Sequence, residues 1–240
     1  MAQDREPKSK GAADPRARIV EALMALVAER RFEDVAIRDI CERANVSLAD
    51  FRDAFPSKGA VLGGFARRID RAVLSAEVPE LAAEASRERL FDVLMRRLDA
   101  LAPYREALRE ITAWLRRDPV AALAMNQSVV NSMRFMLEAA GIESGGVAGA
   151  IKLQGLAFAW ARVVAVWLDD LEPELSKTMA ELDRELTRGE RAVAGVERLD
   201  RFAAPFRAVA LAALESRRGG RDPLRRRAPN GEEPRDVNAL

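Results

Sequence analysis

Apolar residues recur every three or four positions along most of the chain, which is the spacing of helices with one buried face. The clearest stripe consists of Ile19, Val20, Leu23, Met24 and Val27. Asp14 is suited to cap the start of this helix, and Pro15 fits its first position. Because the alternating pattern of strands is scarce, the sequence predicts an all-α fold.

Prolines, glycines and polar clusters divide the stripes into separate helices. The first helix is predicted to end near Arg30 and Arg31. Further helices are predicted at 37–44, 48–54, 58–76, 86–102, 104–117, 119–140, 146–170, 173–194 and 196–216. The two ends, 1–13 and 217–240, have almost no large apolar residues, which predicts disordered tails.

Composition excludes several kinds of chemistry. The 240 residues include one cysteine and no histidine. An intramolecular disulfide, Ser-His or Cys-His catalysis and histidine metal sites are therefore excluded. Spacing singles out no acid/base pair, so we expect neither an enzyme nor a cofactor or metal site. The net charge of +1 by itself favours no class of partner.

No segment of the sequence is predicted to span a membrane. The N-terminus lacks the apolar stretch of a signal peptide. The most apolar run, 155–168, is shorter than the roughly 20 residues of a spanning helix. We therefore expect a cytoplasmic protein.

The two short helices predicted at 37–44 and 48–54 follow a longer helix and are separated by a tight turn. Asn45 tolerates the left-handed conformation of such a turn. Ser47 can cap the second short helix, and Asp50, three residues later, completes a variant capping box. This is the helix-turn-helix arrangement, in which the second helix enters the major groove of DNA.

Residues 18–65 resemble the TetR family of bacterial transcriptional regulators. The resemblance rests on Phe32, on Ile37-Arg38-Asp39-Ile40, on Asn45-Val46-Ser47 and on Phe55-Pro56-Ser57-Lys58. It implies a DNA-binding domain at 14–74, with the helix-turn-helix at 36–55, and a ligand-binding and dimerisation domain at 75–216. It further implies a homodimeric repressor that binds a palindromic operator in double-stranded DNA and is released by a small ligand. The dimer would form through the helices at 146–170 and 173–194.

By position in the motif, the resemblance implies DNA contacts from Arg38, Ser47, Leu48, Ala49, Arg52 and Lys58. Arg38 would contact a base or a phosphate, whereas Ser47 and Lys58 would hold phosphates. Leu48 and Arg52 replace a usual donor and a usual tyrosine of the family. Asp50 and Asp53 also depart from it, because two negative charges facing phosphates would weaken binding.

The implied ligand cavity is expected to be lined by apolar residues of the later helices, which are Trp114, Met125, Phe135, Phe158 and Trp160. Such a lining suits a small apolar ligand. For any one of these residues ordinary core packing is the simpler explanation. Cys41 lies on the inward stripe of its helix and is expected to be a buried thiol, with a redox sensor as the alternative.

A second resemblance gives an alternative function. Residues 167–186 resemble the C-terminal part of a lipid-binding protein of ubiquinone biosynthesis, which has the TetR fold and does not act as a repressor. The apolar stripe from Val193 to Leu214 would match its lipid-covering helix, although core packing explains it too. The alternative is thus a lipid-binding accessory protein that no longer recognises an operator.

Overall fold

The computed structural model describes residues 14–76 and 83–195. These residues are helical with no strand among them, which confirms the all-α prediction. The main helices are α1 (Pro15–Glu29), α2 (Ile37–Ala44), α3 (Leu48–Ala54), α4 (Lys58–Leu74), α5 (Ser86–Leu101), α6 (Arg105–Arg117), α7 (Pro119–Ala139) and α8 (Gly146–Asp169). Short 3-10 turns occupy Phe32–Asp34 and Ala102–Tyr104. The helix predicted at 196–216 and both predicted tails lie outside the described residues.

Packing divides the chain into two units, Met1–Glu190 and Arg191–Leu240. Residues 176–195 are helical, and the part within the first unit, 176–190, is called α9. Within this unit α1 packs against α2, α4 and α6, and α4 packs against α5 and α7. The domain boundary predicted after residue 74 stays a prediction.

Local signals in the sequence account for where the first helices begin and end. The Asp14 side chain accepts a hydrogen bond from the Arg16 amide at 3.1 Å and caps α1, with Pro15 at its first position. Asn45 ends α2 in the left-handed conformation, at φ 50°. The bounds predicted for α2 and α3 are both confirmed.

Two phenylalanines fix α3 to the rest of the unit. Phe51 and Phe55 are both buried, and α3 packs against α1 and α2. Gly64 of α4 lies directly beside the Phe55 ring, where a Cβ would come within 2.7 Å of it. A glycine is therefore required for α4 to pass this close to the end of α3.

The most apolar helix is α8. Its segment Ala148–Asp169 has 22 residues and contains an 18-residue window with a mean hydropathy of 1.4, so by length and composition it could cross a membrane. The inner face of the helix carries Val163 and Trp167, which are fully buried in the core. The apolar run read from the sequence, 155–168, is shorter than this helix. The length of the whole helix therefore does not exclude a membrane span.

Candidate nucleic-acid interface

The exposed side of α3 presents a small surface between two flanks. Because Phe51 points inward and a helix has 3.6 residues per turn, Ala49 and Asp53 both lie near the centre of the outward face. Leu48 and Arg52 share one flank. All four residues are exposed.

The start of α3 is held by a capping box between Ser47 and Asp50. The Asp50 amide donates to the Ser47 hydroxyl oxygen at 3.0 Å, and the Ser47 amide donates to the Asp50 carboxylate at 3.0 Å. The Ser47 hydroxyl also donates to this carboxylate, at 2.7 Å. These hydrogen bonds hold the pKa of Asp50 below its usual value.

The capping box changes two expectations from the sequence. The Asp50 carboxylate is turned toward Ser47, so of the two aspartates expected to repel phosphates only Asp53 projects from the outward face. The Ser47 hydroxyl proton is already donated to Asp50, so Ser47 has no free hydroxyl donor for a phosphate in this conformation.

Two arginines of the helix-turn-helix have no partner within 14–76 and 83–195. Neither Arg38, on α2, nor Arg52, on α3, has a hydrogen bond or ion pair with a described residue. Two other exposed arginines nearby are paired: Arg30, which follows α1, with Asp39 at 2.7 Å, and Arg43, on α2, with Glu29 at 2.9 Å. The positive charges of Arg38 and Arg52 are therefore available to a partner outside the chain.

Lys58 has a different role from the predicted one. Its ammonium donates to the carbonyl oxygens of Phe32 at 2.6 Å and Val35 at 2.8 Å, and it lies 4.3 Å from the centre of the Phe32 ring. Partial burial lowers the pKa of Lys58. The predicted phosphate contact needs correction, because this ammonium joins α4 to the turn before α2.

The same turn also contacts α6. The Phe32 ring stacks on Trp114, with ring centres 4.1 Å apart. The Phe32 amide donates to Glu110 at 3.4 Å, and Arg117 bonds Glu33 at 3.1 Å. Phe32 is thus held between Lys58 and Trp114, and α6 is in direct contact with the helix-turn-helix part.

Solved structures with this arrangement of helices are known, although no family model and no curated protein matches the sequence. A TetR transcriptional regulator from Nitrosomonas europaea ATCC 19718 is 24% identical, with a TM-score of 0.58 over 73% of this chain and 97% of that one. A TetR transcriptional regulator from Rhodococcus sp. RHA1 is 21% identical, with a TM-score of 0.53 over 73% of this chain and 95% of that one. The chain has the TetR-type fold. At these identities the likeness concerns the fold alone.

The five residues predicted to line a ligand cavity are dispersed over the later part of this TetR-type fold. Trp114 stacks on Phe32, Met125 is half-buried and Trp160 is buried. Phe135 and Phe158 are 53% and 57% exposed, so they lie on the outer surface. The prediction of a single lining is corrected accordingly. Helices with apolar residues on several faces do not reveal which face is inward.

A buried polar cluster of the TetR-type fold was missed from the sequence. The Arg97 guanidinium, 5% exposed, forms an ion pair with Asp70, 9% exposed, and lies 5.5 Å from the centre of the Trp160 ring. The Ser132 hydroxyl donates to the second Asp70 oxygen at 2.8 Å. The cluster joins α4, α5 and α7.

A signal for this cluster was present in the sequence. On α5, Arg97 falls within the apolar stripe of Leu90, Leu94 and Leu101, where a charged residue requires a buried partner. No feature of the sequence identifies Asp70 as that partner.

The segment after α8 has a structural explanation of its own. Asp170 is buried and accepts hydrogen bonds from the Thr178 amide at 2.9 Å and hydroxyl at 2.7 Å, which fixes the start of α9. Arg105 lies over the buried Trp167 ring, 4.3 Å from its centre. Packing thus accounts for two notable residues of the segment that resembles the lipid-binding protein.

The two remaining kinds of chemistry to consider are a reactive cysteine and a metal site. Cys41 is buried behind α3, with its sulfur 3.9 Å from the Ser47 carbonyl oxygen, and burial raises the pKa of this thiol. Within 14–76 and 83–195, no group of three or more Cys, Asp or Glu is placed to hold a metal ion.

Proposed function

We propose that this chain is a cytoplasmic transcriptional regulator that binds a palindromic operator as a homodimer and is released by a small apolar ligand. The observation that carries the DNA-binding part is a pair of arginines in the helix-turn-helix, Arg38 on α2 and Arg52 on α3, that have no partner among the described residues. Arginine suits both phosphates and guanine, because its planar fork donates two parallel hydrogen bonds. Ala49, which lies beside Asp53 near the centre of the face, leaves room for close approach to a base pair.

The test of DNA binding is retention of duplexes from around the chain's own gene, measured from low to high salt against random-sequence competitor. Specific retention that falls steeply with salt is expected. Arg38→Ala and Arg52→Ala should each weaken binding, and each lost phosphate contact should reduce the salt slope by about one. Arg134→Ala is the matched control, since Arg134 is an exposed, unpartnered arginine on α7. Equal retention of specific and random duplexes by the wild type would refute the proposal.

The homodimer is supported by an apolar stripe on the outer face of α8. Ile151, Gly155 and Phe158 follow one another at helical spacing and are exposed. A second copy of the chain would cover them. Phe158→Arg is expected to give monomers in sedimentation, whereas Leu171→Arg, at an 81% exposed loop position, should not. A wild-type chain that sediments as a monomer at micromolar concentration would contradict this part.

Release by a ligand is supported by the buried cluster around Arg97. A ligand that enters beside Trp160 would contact the cluster of Arg97 and Asp70 and would thereby act on α4, which contacts α1. A library of apolar compounds can be screened for release of the retained duplex. Trp160→Ala should abolish release by any active compound without preventing DNA binding. Unchanged release from this variant would place the ligand elsewhere.

The alternative, a TetR-fold lipid-binding protein without an operator, is less well supported. One of the two aspartates that argued against DNA binding, Asp50, is engaged in the capping box. If no duplex is retained, mass spectrometry of the purified chain for a bound lipid is the deciding measurement.

A further inference from the structure

An apolar side chain stands at the edge of the proposed DNA-reading surface. Leu48 is the first residue of α3 and is 56% exposed. It lies one helical turn before Arg52 on the same flank, with a rise of about 6 Å between the two positions. A single exposed leucine is ordinary on a protein surface, so the argument rests on its position and not on its exposure.

The charges around Leu48 favour DNA over an apolar partner. Arg38 and Arg52, both unpartnered, belong to the two helices of the helix-turn-helix. An apolar protein partner or a lipid chain would bury these charges without hydrogen bonds, which is costly. A duplex would pair them with phosphates or guanines while Leu48 meets the base edges.

Leucine has few favourable contacts in the major groove. Base edges there present hydrogen-bond donors and acceptors, and the one apolar group is the C5-methyl of thymine. Leu48 placed against a donor or acceptor would leave that group without a partner. Only the thymine methyl gains from burial against it.

Resting on the proposed function, we infer that Leu48 contacts a thymine methyl group in each half of the operator and thereby selects thymine at that position. Base pairs are spaced 3.4 Å apart, so Arg52, about 6 Å along the helix, reaches a base pair within two steps of this thymine. Each half-site therefore contains a thymine contacted by Leu48 and, within two base pairs of it, a base or phosphate contacted by Arg52.

The experiment removes the methyl group alone. Duplexes retained by the full chain from a random pool give the half-site, and each thymine is then replaced singly by deoxyuridine. Affinity is measured by fluorescence anisotropy for the wild type, for Leu48→Ala and for the control Leu171→Ala. Leu171 is an exposed leucine in the loop after α8, away from the helix-turn-helix sequence.

One thymine per half-site is expected to matter to the wild type. Loss of its methyl should weaken binding about fourfold, and about fifteenfold when both half-sites are changed. Leu48→Ala should bind the unmodified duplex more weakly by a similar factor and should be indifferent to deoxyuridine at that position. Leu171→Ala should behave as the wild type does.

The outcomes distinguish a failure of this inference from a failure of the DNA-binding proposal. A selected duplex whose affinity is unaffected by any deoxyuridine, or an equal deoxyuridine effect in Leu48→Ala, overturns the role of Leu48 and leaves the DNA-binding proposal standing. Failure to enrich any duplex overturns both.

Discussion

Replacement of Arg97 by methionine should destabilise the protein far more than the same change one residue earlier. Arg97→Met keeps most of the aliphatic length but leaves the Asp70 carboxylate, 9% exposed, with only the Ser132 hydroxyl as partner. Removing one member of a buried ion pair costs about 3–5 kcal/mol. In a domain of this size that corresponds to a fall in Tm of roughly 6–20 °C.

The matched control is Arg96→Met. Arg96 is paired with Asp92 at 2.6 Å on the partly exposed side of the same helix, and it also makes long hydrogen bonds to the carbonyl oxygens of Val73 at 3.3 Å and Ala76 at 3.4 Å. Pairs of this kind contribute about 1 kcal/mol or less. Urea unfolding followed by circular dichroism gives the free energy of unfolding for both variants, with an unchanged m-value as the check that unfolding remains two-state.

The double variant Asp70→Asn/Arg97→Met tests the physical reason. Because it removes both charges, it should be more stable than Arg97→Met alone. If Arg97→Met is no more destabilising than Arg96→Met, or if the two single effects simply add, the cluster is not a coupled buried pair and the reasoning fails.

Three other predictions concern the helix-turn-helix part. Lys58→Met should lower the free energy of unfolding by about 1–3 kcal/mol, since two carbonyl oxygens lose a charged donor. The salt slope of DNA binding should not change in this variant. A slope reduced by one would instead indicate that Lys58 contacts a phosphate. The pKa of Asp50 lies below its ordinary 3.8, so the stability that the ionised carboxylate contributes to the fold is present above that value and is lost as the pH falls through the lowered pKa. Asp50→Asn should remove this part of the acid dependence of unfolding, measured from about pH 2 to 5. The Cys41 thiol should react with a disulfide reagent slowly in the native protein and rapidly in urea; equal rates would contradict its burial.

Local features were predictable from the sequence because their causes are local. The bounds of α2 and α3 follow from Asn45 and from the capping box of Ser47 and Asp50, all of which act within a few residues. The residue pattern predicts the capping box but does not show where the box directs the negative charge of Asp50. Its geometry turns the Asp50 carboxylate away from the outward face.

Tertiary contacts were not predictable in the same way. The two acceptors of Lys58 belong to a turn more than 20 residues earlier in the chain, so a motif match suggested a phosphate instead. Phe158 resembles Trp160 in the sequence pattern, yet one is exposed and the other buried. Two residues along a helix turn the side chain by about 200°, and only the neighbouring helices decide which side is covered.

The one-sided anchoring of α3 separates folding from recognition. Phe51 and Phe55 are buried and hold the helix in place, with Gly64 packed beside the Phe55 ring. Leu48, Ala49 and Arg52 are exposed. Mutations on the outward face can therefore accumulate over generations without loss of a stable protein. Under the proposed function, a lineage with this architecture could change the DNA sequence that it recognises by single substitutions, and a designer could exchange the same few positions on an unaltered scaffold.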